Sequence, residues 1–120
     1  MEPLPADERL MRERRLRKKG DIDRVFRRGR SGSDELLRVH LFKGQGPDSR
    51  LGISCPRKVG SSVARNRWKR LIREAFRLNR PVLGPGIDLV VVPLKPPGSL
   101  KRQDVERSLL GILDRMRRRR

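Results

Sequence analysis

Residues 64–77, Ala-Arg-Asn-Arg-Trp-Lys-Arg-Leu-Ile-Arg-Glu-Ala-Phe-Arg, restrict the possible folds more than any other part of the chain. At about 3.6 residues per turn, Ala64, Trp68, Leu71, Ile72, Ala75 and Phe76 fall on one side of a helix. Arg65, Lys69 and Arg73 line up on another side, with Asn66, Arg70 and Arg77 beside them. One helix thus offers an apolar stripe to a core and a guanidinium-rich face to something outside it. A partner with many phosphates is the natural complement of that face.

Charge points the same way. The chain carries 32 Lys plus Arg against 14 Asp plus Glu, a formal net charge of +18 over 120 residues. The basic residues are 25 Arg and 7 Lys. Self-repulsion at that charge opposes folding unless a polyanion offsets it, and Arg suits bidentate contact with phosphate better than Lys does. The length allows one domain with one modest core. No apolar run approaches the ~20 residues of a membrane span, no apolar stretch of the secretory type opens the chain, and the basic helix has an interior-type stripe rather than a lipid-inserting one. The expectation is therefore no membrane partner and a cytoplasmic location, which a lone Cys55 also fits.

Self-contained catalysis is not expected. The chain has one His, one Cys and no Tyr. A Cys55–His40 pair is conceivable, but Cys55 belongs to the apolar alternation Leu51, Ile53, Cys55 and reads as a core thiol. There is no zinc-type Cys/His spacing, no Walker-type loop and no paired carboxylate site, although Asp88 or Glu74 could touch a metal.

Along the chain, residues 1–13 read as a disordered arm, 14–116 as the folded domain and 117–120 as a basic tail. A short helix from Ile22 to Arg28, N-capped by Asp21, carries Ile22, Val25 and Phe26 on one face and is closed by Gly29. Residues 36–43 alternate as a strand, Leu37, Val39 and Leu41 against Leu36, Arg38, His40 and Phe42. A turn-rich loop over 44–48 leads to a second strand, Arg50 to Cys55, and the short connection predicts antiparallel pairing of the two. The main helix runs from about Ser62 to Asn79, with Pro81 as its stop. Ile87-Asp88-Leu89-Val90-Val91-Val92 suits a strand covered on both faces. A last helix, from about Lys101 to Arg117, places Val105, Leu109, Ile112, Leu113 and Met116 on one stripe. The order α-β-β-α-β-α predicts an α+β, two-layer sandwich with helices on one face of a small mixed sheet. The other face would stay partly open and display Arg38, His40, Gly52 and Ser54.

Here the residues resemble a known family. Arg65-Asn66-Arg67 followed by Lys69-Arg70-Leu71-Ile72-Arg73 resembles the signature of the bacterial ribonuclease P protein subunit. Leu51-Gly52-Ile53-Ser54, Arg57-Lys58-Val59-Gly60, Arg15-Leu16-Arg17-Lys18 with Asp23, Val25-Phe26 and Gly29, and Lys95-Pro96 resemble other parts of the same family. The resemblance spans about residues 12–115. It implies a fold like a ribosomal protein domain with a left-handed βαβ crossover, against the usual right-handed preference. It implies two partners, a large catalytic RNA subunit and the single-stranded 5′ leader of precursor tRNA, and no small-molecule substrate. It also implies that the RNA carries the hydrolysis with bound Mg²⁺, so the chain has no catalytic residue of its own.

The resemblance assigns Arg57, Lys58, Arg65, Asn66, Arg67, Lys69, Arg70 and Arg73 to RNA contact. It assigns Ile22, Phe26, Arg38 and His40 to a leader cleft, flanked by Val39. The family lines that cleft with aromatics, and this chain has few: Ile22 stands where an aromatic is common, and His40 offers less stacking surface than Tyr. Trp68 lies in the apolar stripe and reads as core. Rival readings are a ribosomal or other non-enzymatic RNA-binding protein of this fold, a DNA-architectural protein, and a self-sufficient nuclease. The last two need a groove-reading element or a carboxylate cluster that the chain lacks.

Overall fold

The sheet is organised around its most apolar strand. The computed structural model describes residues 15, 16, 18–44 and 46–118. In chain order the elements are α1 (Lys19–Arg28), β1 (Arg30–Ser33), β2 (Leu37–Lys43), β3 (Arg50–Ile53), a 3₁₀ turn (Arg57–Val59), α2 (Ser62–Leu78), α3 (Arg80–Leu83), β4 (Ile87–Pro93) and α4 (Arg102–Arg118). The strand order is β1-β2-β4-β3. β4 lies antiparallel to β2, with Val39 opposite Val91, and parallel to β3, with Leu51 opposite Leu89. β3, α2 and β4 therefore form a crossover between adjacent parallel strands, and the molecule is an α+β sandwich with a mixed sheet.

Two expectations fail in the sheet. β2 and β3 do not pair, because β4 sits between them. Val90 and Leu89, on opposite faces of β4, are both fully buried. A strand apolar on both sides gains most from the central place. The loop after β2 needs to span only two strand spacings, about 10 Å. Its first residue still follows β4: the Gly44 amide donates to Gly86 at 2.7 Å. The second departure is β1, which the sequence pattern does not announce. Arg30-Ser31-Gly32-Ser33 has no apolar alternation, yet it pairs antiparallel with β2. Gly32 suits the place, since a Cβ would meet Met116 at 2.8 Å and Ile112 at 3.1 Å and push those side chains aside.

Helix ends differ in smaller ways. α1 begins at Lys19, with Lys18 as N-cap and no side-chain cap. Asp21 is therefore a first-turn acid, where the helix dipole favours a carboxylate, and not the cap. Ser61 caps α2 by accepting from the Ala64 amide at 3.3 Å. Asn79 closes α2, and Pro81 opens the short α3 instead of simply stopping the chain. α4 continues through Arg118, so Arg117 and Arg118 of the expected tail are helical. Arg119, Arg120 and the arm over 1–13 lie outside the described residues.

Two apolar clusters result. The large one joins Leu37, Val39, Leu51, Leu89 and Val91 to Trp68, Ile72 and Phe76 of α2 and to Leu109, Ile112 and Leu113 of α4. Trp68 is fully buried, and its Nε1–H donates to the Lys95 carbonyl at 2.8 Å. The small cluster lies on the other face, where Leu16, Val25 and Val90 pack with Ile22, Phe42 and Val92. That face is less open than expected. The Leu16 amide donates to the Leu51 carbonyl at 2.8 Å, and Gly52 is buried beneath Leu16. Val39 belongs to the large cluster, so it does not flank the cleft: strand alternation sends it to the side opposite His40.

Candidate nucleic-acid interface

The basic face of α2 is built by what its cations lack. The carboxylate of Glu74 takes Arg77 at 2.7 Å. No described residue hydrogen-bonds or ion-pairs with the side chains of Arg57, Lys58, Lys69, Arg70 or Arg73. Asn66 is exposed and its side-chain amide likewise has no described partner. Asparagine is a mediocre helix former at an exposed mid-helix position, so helix stability alone does not account for it.

The three residues of the Arg65-Asn66-Arg67 signature take different directions. Arg65 lies against the end of β3: its carbonyl is 4.0 Å from the Cys55 Sγ, its guanidinium reaches Ser62 at 3.5 Å, and its Nε is buried with no hydrogen-bond partner. Asn66 points outward. Arg67 occupies the other flank and donates to the Leu100 carbonyl at 2.6 Å, which ties α2 to the segment before α4. Lys69 shares the Arg65 flank, and together they counteract part of the rise that burial imposes on the Cys55 thiol pKa. Cys55 packs half-buried against the large cluster, whereas His40 lies on the opposite sheet face. The two cannot form a nucleophile–base pair.

The cleft residues come together under α1. Phe26 is 37% exposed and meets His40 edge-on, with ring centroids 4.6 Å apart and planes at 75°, a favoured aromatic geometry. Ile22 is half-buried in the small cluster behind them. Arg38 is exposed two residues from His40 on the same strand face. Burial first, and then the Arg38 charge, hold the His40 pKa below its usual value. Ser31 lies opposite His40 and Ser33 opposite Arg38. These two serines extend the groove onto β1, and sequence reasoning missed them because β1 carries no strand pattern. Gly52 is too deeply covered to display anything.

The acids do not gather. Asp88 is buried and bound by Arg50 at 3.0 and 2.9 Å, so it is committed to an internal pair. Among the described residues no three His, Cys, Asp or Glu side chains cluster as metal ligands. No described helix is long and apolar enough to cross a membrane.

Comparison with known proteins decides the family. Residues 10–117 match the family model described as Ribonuclease P. The chain belongs to the ribonuclease P protein family. It is 39% identical to the "Ribonuclease P protein component" of Clostridium botulinum (strain Loch Maree / Type A3) over 86% of this chain and 94% of that one. The ribonuclease P protein structure from Thermotoga maritima is 37% identical, with a TM-score of 0.76 over 84% of this chain and 96% of that one. The Staphylococcus aureus ribonuclease P protein structure gives 28% identity and a TM-score of 0.75, covering 86% and 94%.

Proposed function

We propose that this protein is the protein subunit of ribonuclease P, which binds the catalytic RNA and the 5′ leader of precursor tRNA and assists Mg²⁺-dependent removal of the leader. The observation that carries this reading is the set of cations on and before α2 that no internal acid neutralises. A helix face whose charges served stability would intersperse acids at i+4 spacing. Between positions 56 and 80 there are nine basic residues and one acid, Glu74. Arg57, Lys58, Arg65, Lys69, Arg70 and Arg73 are assigned to RNA phosphates, and Asn66 to a hydrogen bond with RNA. Arg67 is assigned to the same surface, with one of its donors already given to Leu100.

Leader binding is assigned to Phe26, His40, Ile22 and Arg38. Phe26 and half-buried His40 engage each other edge-on, so the ring surface offered to bases is limited and Arg38 and the backbone take a larger share of the grip. Hydrolysis is assigned to the RNA subunit, with Mg²⁺ held mainly by RNA phosphates, since this ion keeps several waters and favours phosphate ligands. The described residues offer no carboxylate cluster for it. The working compartment is the cytoplasm. A non-enzymatic ribosomal role for the same fold is not favoured, because the family match spans nearly the whole chain.

Reconstitution tests the reading. Purified protein is added to its cognate catalytic RNA at low Mg²⁺, and cleavage of precursor tRNA is followed. The mixture should cut and the protein alone should not. Cleavage by isolated protein, or no effect of protein on the RNA's activity, would refute it.

A further inference from the structure

α1 and α4 lie on opposite faces of the sheet, yet their C-terminal ends meet at β1. α1 ends in Arg27 and Arg28, and Gly29 turns the chain directly into β1. The Arg30 guanidinium then donates to the Met116 carbonyl in the last turn of α4. That turn carries Arg115, Arg117 and Arg118. Arg115 donates to the Ser33 carbonyl at 3.4 Å. Arg117 donates to the carbonyls of Val82 and Leu83 at 3.3 and 2.7 Å.

Capping explains part of this cluster, since cations stabilise helix C-termini. It does not explain the excess. The Gly29 amide already serves Val25, and Arg30 already serves Met116. No described residue pairs with the side chains of Arg27 or Arg28. Arg118 pairs with exposed Asp114 at 3.3 Å, and such surface pairs hold weakly. Each arginine has five N–H donors in a rigid fork. Arg115 is thus held by one weak bond to Ser33 and by the charge of nearby Asp34, and its exposed fork keeps donors for a further acceptor.

The patch is continuous with the groove. Phe26 immediately precedes Arg27 and Arg28, Ser31 lies opposite His40, and both serines of β1 are exposed. β1 is the sheet edge farthest from β3, beside which Arg65 and Lys69 sit. At about 4.8 Å per strand the two edges lie roughly 14 Å apart.

The geometry points to a path for a longer single strand: nucleotides upstream of those in the groove pass over β1, and Arg28, Arg115 and Arg118 hold their phosphates. This rests on the leader assignment above and extends it. Precursor tRNAs with longer leaders then bind more tightly and with a steeper salt dependence.

The test uses the protein assembled with its cognate catalytic RNA and precursor tRNAs with leaders of about five and about fifteen nucleotides. The wild-type complex should bind the longer leader about tenfold more tightly. In the triple variant Arg28→Ala, Arg115→Ala, Arg118→Ala the longer leader should lose that gain, and its salt slope should fall by roughly two. The short leader should bind as before. A triple variant of equal charge change at the start of α4, Lys101→Ala, Arg102→Ala, Arg107→Ala, should keep the length dependence. Replacement of the three patch arginines by Lys should restore most of it and guards against misfolding. Equal loss for both leaders would assign the patch to the RNA subunit and overturn the proposal. Absence of length dependence in the wild type would overturn it too. Failure of the short leader to touch the protein at all would instead count against the leader cleft itself.

Discussion

Arg50 and Arg70 are the same residue type put to opposite uses. Arg50 sits on β3 with two acids around it. It makes a forked pair with Asp88, whose side chain is 6% exposed, and approaches Asp21 of α1 at 3.5 Å. The hydrogen bonds that Arg50 donates to Asp88 raise its pKa above the usual value, working against burial. The result is a strut that ties β3, β4 and α1 together across the small cluster. Arg70, like Arg57 and Arg73, has no such acceptor among the described residues. Lys69 precedes it, the acid four residues on, Glu74, is taken by Arg77, and the charge of Arg70 remains for a partner outside the chain. In a protein with so few acids, where the acids are placed decides which arginines hold the fold and which keep their charge for the proposed RNA contact.

Cutting the strut should give the largest effect. Asp88→Ala leaves the half-buried Arg50 guanidinium without its carboxylate, and unfolding should become easier by about 3 kcal/mol. Denaturant titration measures this. RNA affinity of the variant, taken under conditions where it is still folded, should stay within about twofold of wild type. A large affinity loss in the folded variant would mean that strut and RNA face are one coupled unit, and the comparison would collapse.

The outward set should respond the other way. Arg57→Ala, Arg70→Ala and Arg73→Ala together should change stability by less than about 0.5 kcal/mol. RNA binding should weaken by roughly thirtyfold at low salt, with the slope of log affinity against log salt shallower by about two to three. Filter binding at two salt concentrations suffices. An unchanged slope would mean that these cations do not meet phosphates.

The two sets differ in how legible they are in sequence. The face of α2 is local: a period of 3.6 residues sorts Trp68, Ile72 and Phe76 from Arg70 and Arg73 without knowledge of anything else. Its N-cap and end are local too, in Ser61 and Asn79. The Arg50–Asp88 strut joins residues 38 apart, and nothing near either residue names its partner. The same holds for Arg67, which finds Leu100, and for Arg117, which finds α3. Sheet order failed for a related reason. Alternation tells which residues share a face of β2 and β3, but not that β4 will enter between them. β1 was invisible because it has no apolar alternation, and its Gly32 answers to the approach of Met116, a distant side chain. Under α1 the pattern was partly legible: the family resemblance named Phe26 and His40, whose rings do meet, but nothing local announced Leu16 lying over Gly52.

The smallest expected effect concerns His40, which stands between the two classes. It is half-buried like a strut and lies in the proposed RNA groove. The groups that face it are Phe26 from α1, Arg38 on its own strand, Ser31 on β1 and Val90 on β4. None is a carboxylate. Its folded pKa is lowered, by burial and then by Arg38. The unfolded chain therefore takes up the proton first as pH falls. His40 costs no stability above about pH 6.5, and the free protein loses stability as pH drops below that value and through the lower folded pKa. A bound phosphate strand has the reverse preference and favours the imidazolium. Leader affinity should rise by about fivefold between pH 7 and pH 5, while the apparent stability of the free protein falls. His40→Gln keeps a polar ring-sized group but cannot charge, and in it the rise in affinity should vanish. Persistence of the full rise in His40→Gln would place the responsible proton on the RNA or elsewhere in the protein, and would return His40 to the structural class with Arg50.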